Sequence, residues 1–366
     1  MRGVPSDYNS WSKAGNVGWS YNEVFPYFLK LENDYDFDNE WHNQHGEISI
    51  RRYKEDELTL PQRAFLEGCK QRGYTFVDDH NRLGAIGIGL IPMNLRNGIR
   101  ESTAITYLTK ARNRNNFCLL ANASADHILW SGKKAVGVQV IDSDGKTFCI
   151  YAERIIISAG TYASPAILMR SGIGDTATMK KLEIQSVCHL PGVGKHLQDH
   201  PIVSFPFVIK NSFTNSSIPN FQTLLTLKSS AENVSFDLMI FPVTTLLVDK
   251  EKSYTGALAS LIVSLTKPMS TGWVKIPSSA ASAPPLIQPD YFSHAQDMPR
   301  MIECVQYMLD IAQSDPIKEV YLEPIGFRIN QFSNYEEIKK YILNNVSTLQ
   351  RPRRRKRSSI HSLKFD

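Results

Sequence analysis

Residues 154–174 read RIIISAGTYASPAILMRSGIG, and this stretch decides the fold class. Ile155, Ile156 and Ile157 form an unbroken β-branched run, which predicts a strand buried on both faces of a parallel sheet. Ala159-Gly160 predicts a small-residue turn, Ser164 an N-cap, Pro165 the first helical position and Gly172 the helix end. Glycine at the turn lets a ligand approach the backbone, and the positive end of the following helix favours an anion or a polarised ring. Two readings stay open on these residues alone: a packed βα unit without a ligand, or one edge of a dinucleotide site. The phosphate loop G-x-G-x-x-G, which should accompany such a site, occurs nowhere in the chain. Gly84, Gly87 and Gly89 have the wrong spacing for it, as do Gly172 with Gly174 and Gly192 with Gly194.

Working outward, the preceding segments FCLLANASADHILW, KAVGVQVID and TFCIYAERIIIS (from 117, 134 and 147) predict strands, with DSDG as the hairpin turn between the last two. Upstream, GWSYNEVFPYFLKLEND predicts a helix with Ser20 as N-cap and Glu23 completing a capping box. Val24, Tyr27, Phe28 and Leu31 fall on its apolar face. A second helix is expected over 59–72, ending at Gly73. Beyond LPGVGKHLQDHPIV the composition shifts, and a domain boundary is placed near 200. VSFDLMIFPVTTLLV, GALASLIVSLTKP and TGWVKIPS then predict a mainly antiparallel sheet, with a helix at 297–313.

Composition narrows the class. The chain has 366 residues, 42% hydrophobic and 21% charged, enough for roughly two domains of ~150 residues with ordinary cores. No run approaches the ~18 apolar residues of a membrane span. The net charge is +5, but RPRRRKR at 351–357 carries six positive charges, and without them the balance falls to −1. A basic cluster confined to one end reads as a disordered tail, and nucleic-acid binding is not expected. Cys69, Cys118, Cys149, Cys188 and Cys304 are odd in number and widely spaced, so neither a disulfide framework nor a zinc site is expected. Sequons at Asn122, Asn215, Asn233 and Asn345 are compatible with secretion, although Asn122 falls in a predicted strand. The N-terminus has no apolar core of a signal peptide.

With these patterns in place, GTYASPAILMRSGIG at 160–174 resembles the second signature of the glucose-methanol-choline (GMC) oxidoreductase family position for position. RGVPSDYNSWSKAGNVGWSYNEVFPYFLKLEN, LRNGIRESTAITYLTKARNRNNFCLL, LPGVGKHLQDHP and TGWVKIPSSAASAPPLIQPDYF resemble further family blocks in the right order. The wording is nearest to the insect branch of FAD- and quinone-dependent glucose dehydrogenases, and the likeness covers about residues 1–348. It implies a mixed α/β (α+β) fold, with an incomplete FAD-binding Rossmann-like domain at 1–200 and a substrate domain with a mainly antiparallel sheet at 201–350. Residues 351–366 are left as a basic disordered tail that departs from the family.

The resemblance also implies chemistry. Its members oxidise an alcohol or sugar CH–OH group, passing hydride to FAD and electrons onward to a quinone or another acceptor. The family's G-x-G-x-x-G is expected upstream of RGVPSDY, and its His-Pro-x-Gly-Thr beyond Gln350, so the chain reads as a fragment in which no residue is assigned as catalytic. His361 sits in no such motif. Cofactor contacts are implied at Ala125, where the family usually has valine and uses the main chain, and at Ala159, Gly160 and Ser164. His200, with Asp199 as partner, is expected to order a loop. His42 and His45 are spaced for one metal, but an exposed loop with no metal is expected there. Asn43 and His45 replace family glycines and would be strained if the turn needed positive φ. Arg100, Glu101 and Ser102 receive no role. Two functions remain: a flavin alcohol dehydrogenase represented by an inactive piece, or a non-catalytic relative that binds a partner.

Overall fold

The computed structural model describes residues 1–209, 221–231, 236–249 and 254–349. The arginine tail, His361 and the sequons at Asn215 and Asn233 lie outside the described residues. The chain opens with helices α1 (Pro5–Lys13) and α2 (Tyr21–Leu31), strands β1 (Glu32–Asp34) and β2 (Ile48–Arg51), and helix α3 (Leu60–Gln71). Strands β3 (Phe76–Val77), β4 (Gly87–Leu90), β5 (Met93–Arg96) and β6 (Ile99–Arg100) and the short helix α4 (Thr109–Ala111) follow. Then come β7 (Ser124–Ser131), β8 (Lys134–Ile141), β9 (Thr147–Tyr151), α5 (Gly160–Arg170), β10 (Ile173–Gly174), α6 (Thr176–Lys181) and β11 (Cys188–His189). The remainder comprises β12 (Pro201–Ile209), β13 (Thr223–Leu227), β14 (Leu238–Asp249), β15 (Tyr254–Leu265), β16 (Trp273–Lys275), β17 (Leu286–Gln288), α7 (Asp297–Ile311), α8 (Asp315–Val320), β18 (Tyr321–Pro324), α9 (Tyr335–Asn345) and β19 (Ser347–Thr348).

The largest sheet has the order β18-β12-β15-β14-β13-β4-β3, with β19 also paired to β12. Every pairing in it is antiparallel except β3 with β4. Its strands obey period two. Leu225, Leu227, Ile240, Leu261 and Val263 join the main core under α3, α7, α8 and α9, while Leu224, Phe241 and Ile91 form a smaller cluster on the opposite face. Residues before 200 contribute α3, β3 and β4 to this body. The mixed α/β architecture, with a mainly antiparallel sheet in the second half, is the one expected.

A buried ion network holds the core's rim. Asp237 is 0% exposed and accepts from Arg300 Nη2 at 2.6 Å and Nε at 2.8 Å, while Ser229 donates to it at 2.7 Å. Asp297, at the first turn of α7, accepts the Met269 and Ser270 backbone N–H groups at 2.9 and 2.8 Å. Both carboxylates are thus saturated by donors, which is what a buried charge requires.

Several local expectations change. Helix α2 forms with the capping box, the Ser20 N–H donating to Glu23 at 3.0 Å. Of the expected face Val24 and Phe28 are half-buried, Phe28 edge-on to Tyr8 at 5.7 Å, whereas Tyr27 is 70% exposed and Leu31 is also exposed; Tyr21 and Phe25 pack as well, the latter edge-on to Trp41 at 5.6 Å. Strands β7, β8 and β9 make the expected antiparallel meander, but Asn122 precedes it with φ +54. Residues 155–157 pair with no strand among the described residues, and Ile156 is 87% exposed. A parallel strand needs a neighbour from elsewhere in the chain, and none of the described residues supplies one.

Candidate functional site

Helix α5 starts at Gly160, four residues before the expected N-cap, and Pro165 lies inside it. Gly160 takes φ +85, a conformation that favours glycine, and so turns the chain directly into the helix. Ser164 caps from within: its Oγ accepts the Ala159 N–H at 3.1 Å. The helix is docked on β7 through its far end. Ser171 Oγ accepts the Ile128 N–H at 2.8 Å and donates to the Ile167 carbonyl at 2.6 Å, and Trp130 Nε1 donates to the Ser171 carbonyl at 2.9 Å. Arg170 closes the joint by donating to the Asp126 carbonyl at 3.0 Å and the Ala125 carbonyl at 3.4 Å.

The four expected cofactor residues therefore belong to one α5–β7 unit but not to one point. Ala159, Gly160 and Ser164 mark the start of α5, while Ala125 lies beside its last turn. A helix of this length, at ~1.5 Å per residue, separates the two by about 15 Å, which suits an elongated ligand better than a small ion. Ala125, Ala159 and Gly160 are exposed, and a Cβ placed on Gly160 would meet nothing within 4 Å. The unit is thus an open wall with small residues at both ends. Helix α5 also packs against β10 and β16.

The remaining expected residues fall elsewhere. His200 is half-buried. Asp199 Oδ1 accepts the His200 backbone N–H at 2.9 Å, and Asp199 Oδ2 accepts the Tyr291 hydroxyl at 2.6 Å. The ring partner of Asp199 is therefore Tyr291, and burial lowers the His200 pKa. Arg100 and Ser102 are exposed, but Glu101 is buried and accepts the Ser49 N–H at 2.9 Å, a structural tie between β2 and β6.

The loop at 41–46 overturns the expectation for its histidines. His45 is exposed, but His42 is 4% exposed, with Nε2 2.9 Å from Asp79 Oδ2 and Nδ1 3.0 and 3.2 Å from Asp34 and Glu32. Burial opposes charging this ring, yet the adjacent carboxylates of Asp34, Asp79 and Glu32 prevail and raise its pKa to about 10. Neither Asn43 nor His45 has positive φ, so their replacement of glycine carries no strain. The glycine that matters is Gly46, whose Cβ would lie 2.3 Å from the Glu32 carbonyl oxygen. The His42 cluster could not be read from local spacing, because its carboxylates arrive from β1 and from the loop after β3.

The comparisons with known proteins follow this geometry. Residues 1–202 match the N-terminal family model described as GMC oxidoreductase, and residues 268–352 match the C-terminal one. The oxygen-dependent choline dehydrogenase of Vibrio vulnificus (strain YJ016) is 29% identical over 376 residues, covering 96% of this chain and 67% of that protein. Glucose dehydrogenase [FAD, quinone] of Drosophila melanogaster is 29% identical, covering 87% of this chain and 56% of its own length. The mitochondrial choline dehydrogenase of Mus musculus is 29% identical and is spanned over 59% of its length. The chain thus spans about 56 to 67% of these relatives. Among solved structures, pyridoxine 4-oxidase from Mesorbium loti superposes with a TM-score of 0.84 at 24% identity, covering 95% of this chain and 69% of that one. A formate oxidase does so at 0.82 and 17%, covering 95% and 70%, and both likenesses speak to the fold. Taken with the open α5–β7 wall, the two family matches make this chain a member of the GMC oxidoreductase family of FAD-dependent flavoproteins.

Proposed function

We propose that the chain is the scaffold part of an FAD-dependent oxidoreductase that oxidises a CH–OH donor, an alcohol or a sugar, and passes electrons to a quinone-like acceptor. The observation that carries this reading is the α5–β7 unit, with Ala159-Gly160 and Ala125 exposed at its two ends. Its backbone would hold the cofactor lengthwise: the free N–H groups of the first turn of α5 favour negative charge, and small residues permit close approach. When bound, FAD supplies the hydride acceptor. The family's choline and glucose dehydrogenases support the substrate class, and the name of the Drosophila relative supports the quinone.

Alcohol oxidation also needs a base near neutral pH to take the hydroxyl proton. Three buried or half-buried histidines, His42, His80 and His200, are not poised for that task. His42 is held by three carboxylates, burial holds His80 near pKa 4, and burial lowers the His200 pKa. We propose that this 366-residue chain binds FAD weakly and does not turn over on its own. The test is to titrate the purified chain with FAD by flavin fluorescence and to assay dye reduction with choline and glucose. Quenching without reduction supports the reading. Rapid reduction would overturn the second half of it, and the absence of any quenching at millimolar FAD would favour a non-catalytic binding protein instead.

A further inference from the structure

We propose that the buried pocket formed by Glu32, Asp34 and His42 is a binding site for a divalent transition metal of the zinc class. Three donor atoms converge there, His42 Nδ1, Asp34 Oδ2 and Glu32 Oε1, all within 4.8 Å of one another and all on buried residues. The two distances from Nδ1, 3.0 and 3.2 Å, match neighbouring ligands on a metal bound at ~2.1 Å with angles near a right angle. Mixed imidazole and carboxylate donors suit zinc and its first-row neighbours.

The orientation of the ring is the independent observation. His42 Nε2 faces Asp79 Oδ2 at 2.9 Å, and a carboxylate only accepts, so Nε2 carries a proton. In the neutral ring Nδ1 then presents a lone pair to two carboxylates. Nδ1 is fully buried and has no partner in hydrogen-bonding geometry, although Asp34 and Glu32 lie close to it. Glu32 Oε1 and Asp34 Oδ2 already accept from Arg2 and Arg52, and a further cation at the point all three atoms face would satisfy Nδ1 as well. A proton fills that point when no metal is present, and a metal would displace it to solvent.

The surroundings are built to the same end. Asp79 stands behind the ring as the outer carboxylate that fixes a ligating histidine, and Phe37 stacks on its face at 5.3 Å. Arg52 holds Asp34 through both oxygens at 3.0 Å and Asp79 at 2.8 Å, and Arg2 holds Glu32. Arg2 and Arg52 against Glu32, Asp34, Asp36 and Asp79 leave two negative charges, which one dication neutralises. A cavity of about 170 Å³ lies against Glu32, with Arg2, Asn81 and Asn94 also in its lining, while Asp34 and His42 are not part of it.

The probes are Co²⁺ and Zn²⁺, added to the full chain at pH 8. The expected result is one equivalent of Co²⁺ with visible d–d bands, a paramagnetically shifted imidazole resonance, displacement by Zn²⁺, and a higher Tm. Glu32→Gln should weaken binding at least tenfold, and His45→Ala should leave it unchanged. The wild-type spectra stand on their own if Glu32→Gln fails to fold. The proposal is overturned if millimolar Co²⁺ produces no bands. It is also overturned if the His42 ring keeps protons on both nitrogens in excess metal, or if His45→Ala abolishes binding.

Discussion

The two β systems of this protein share a composition and differ in company. Strands β12 to β15 sit in a sheet whose side chains interlock with four helices, and Phe205 alone touches Phe327, Phe332 and Tyr341 at ring distances of 4.9 to 5.8 Å. The meander β7 to β9 is as apolar in sequence, yet all five residues of β9 are exposed and Tyr151 is 73% exposed. Phe148, Ile150 and Ile156 share that exposure. The comparison teaches that apolar sequence gives a strand its tendency, whereas burial depends on a partner surface. Where the partner is present, each side chain contributes fully; where it is not, the same residue types contribute little and leave a surface for something else to cover.

The largest contrast is expected from truncating one side chain on each side. Phe205→Ala should cost about 3–5 kcal/mol in urea denaturation, because it opens a cavity inside the aromatic cluster. Ile156→Ala should stay within roughly 0.5 kcal/mol. Equal losses at the two sites would break the comparison.

Acid should act on the packed side. Burial lowers the His80 pKa from 6.5 to about 4, with Nε2 donating to the Leu224 carbonyl at 3.1 Å. A histidine whose folded pKa lies below its unfolded value binds more protons when unfolded. Its contribution is therefore complete above about pH 6.5 and is lost as pH falls through 4, on the order of 3 kcal/mol in all. His80→Phe should flatten the stability profile over that window, measured as the urea midpoint against pH.

Smaller again is the effect expected at the joint between α5 and the meander. Ser171→Ala leaves the buried Ile128 N–H without its acceptor and should cost about 1–3 kcal/mol. It should also weaken FAD binding if α5 and β7 act as one wall. The smallest effect is predicted for Ile156→Ser, which should leave the denaturation midpoint unchanged and reduce binding of a hydrophobic dye. An unaltered dye signal would place the exposed apolar surface elsewhere.

How much of this could be read in the sequence follows the same division. Local signals translated well: Ser20 with Glu23 marked the start of α2, Gly73 the end of α3, and DSDG the hairpin between β8 and β9. The β-branched run 155–157 misled because its pattern describes a strand's need for a neighbour and carries no information on whether one is at hand. Pro165 and Ser164 pointed to a helix start, but Gly160 at φ +85 begins the helix earlier, and Ser164 caps it from inside. In the site, Gly160 and Ser164 were proposed from one contiguous signature with Ala159 beside it, and Ala125 from a separate strand segment 34 residues upstream of Ala159. The His42 cluster was not legible, since Asp79 lies 37 residues away and no spacing rule joins it to Glu32 and Asp34.

The most direct measurement is hydrogen exchange of the backbone amides with and without saturating FAD. The account predicts slow exchange across β12 to β15 in both states, fast exchange at 154–160 in the free chain, and protection gained on adding FAD at 125–128 and 156–164. Protection appearing in the large sheet instead, or no change along α5 and β7, would contradict the claim that this open wall is where the cofactor lies.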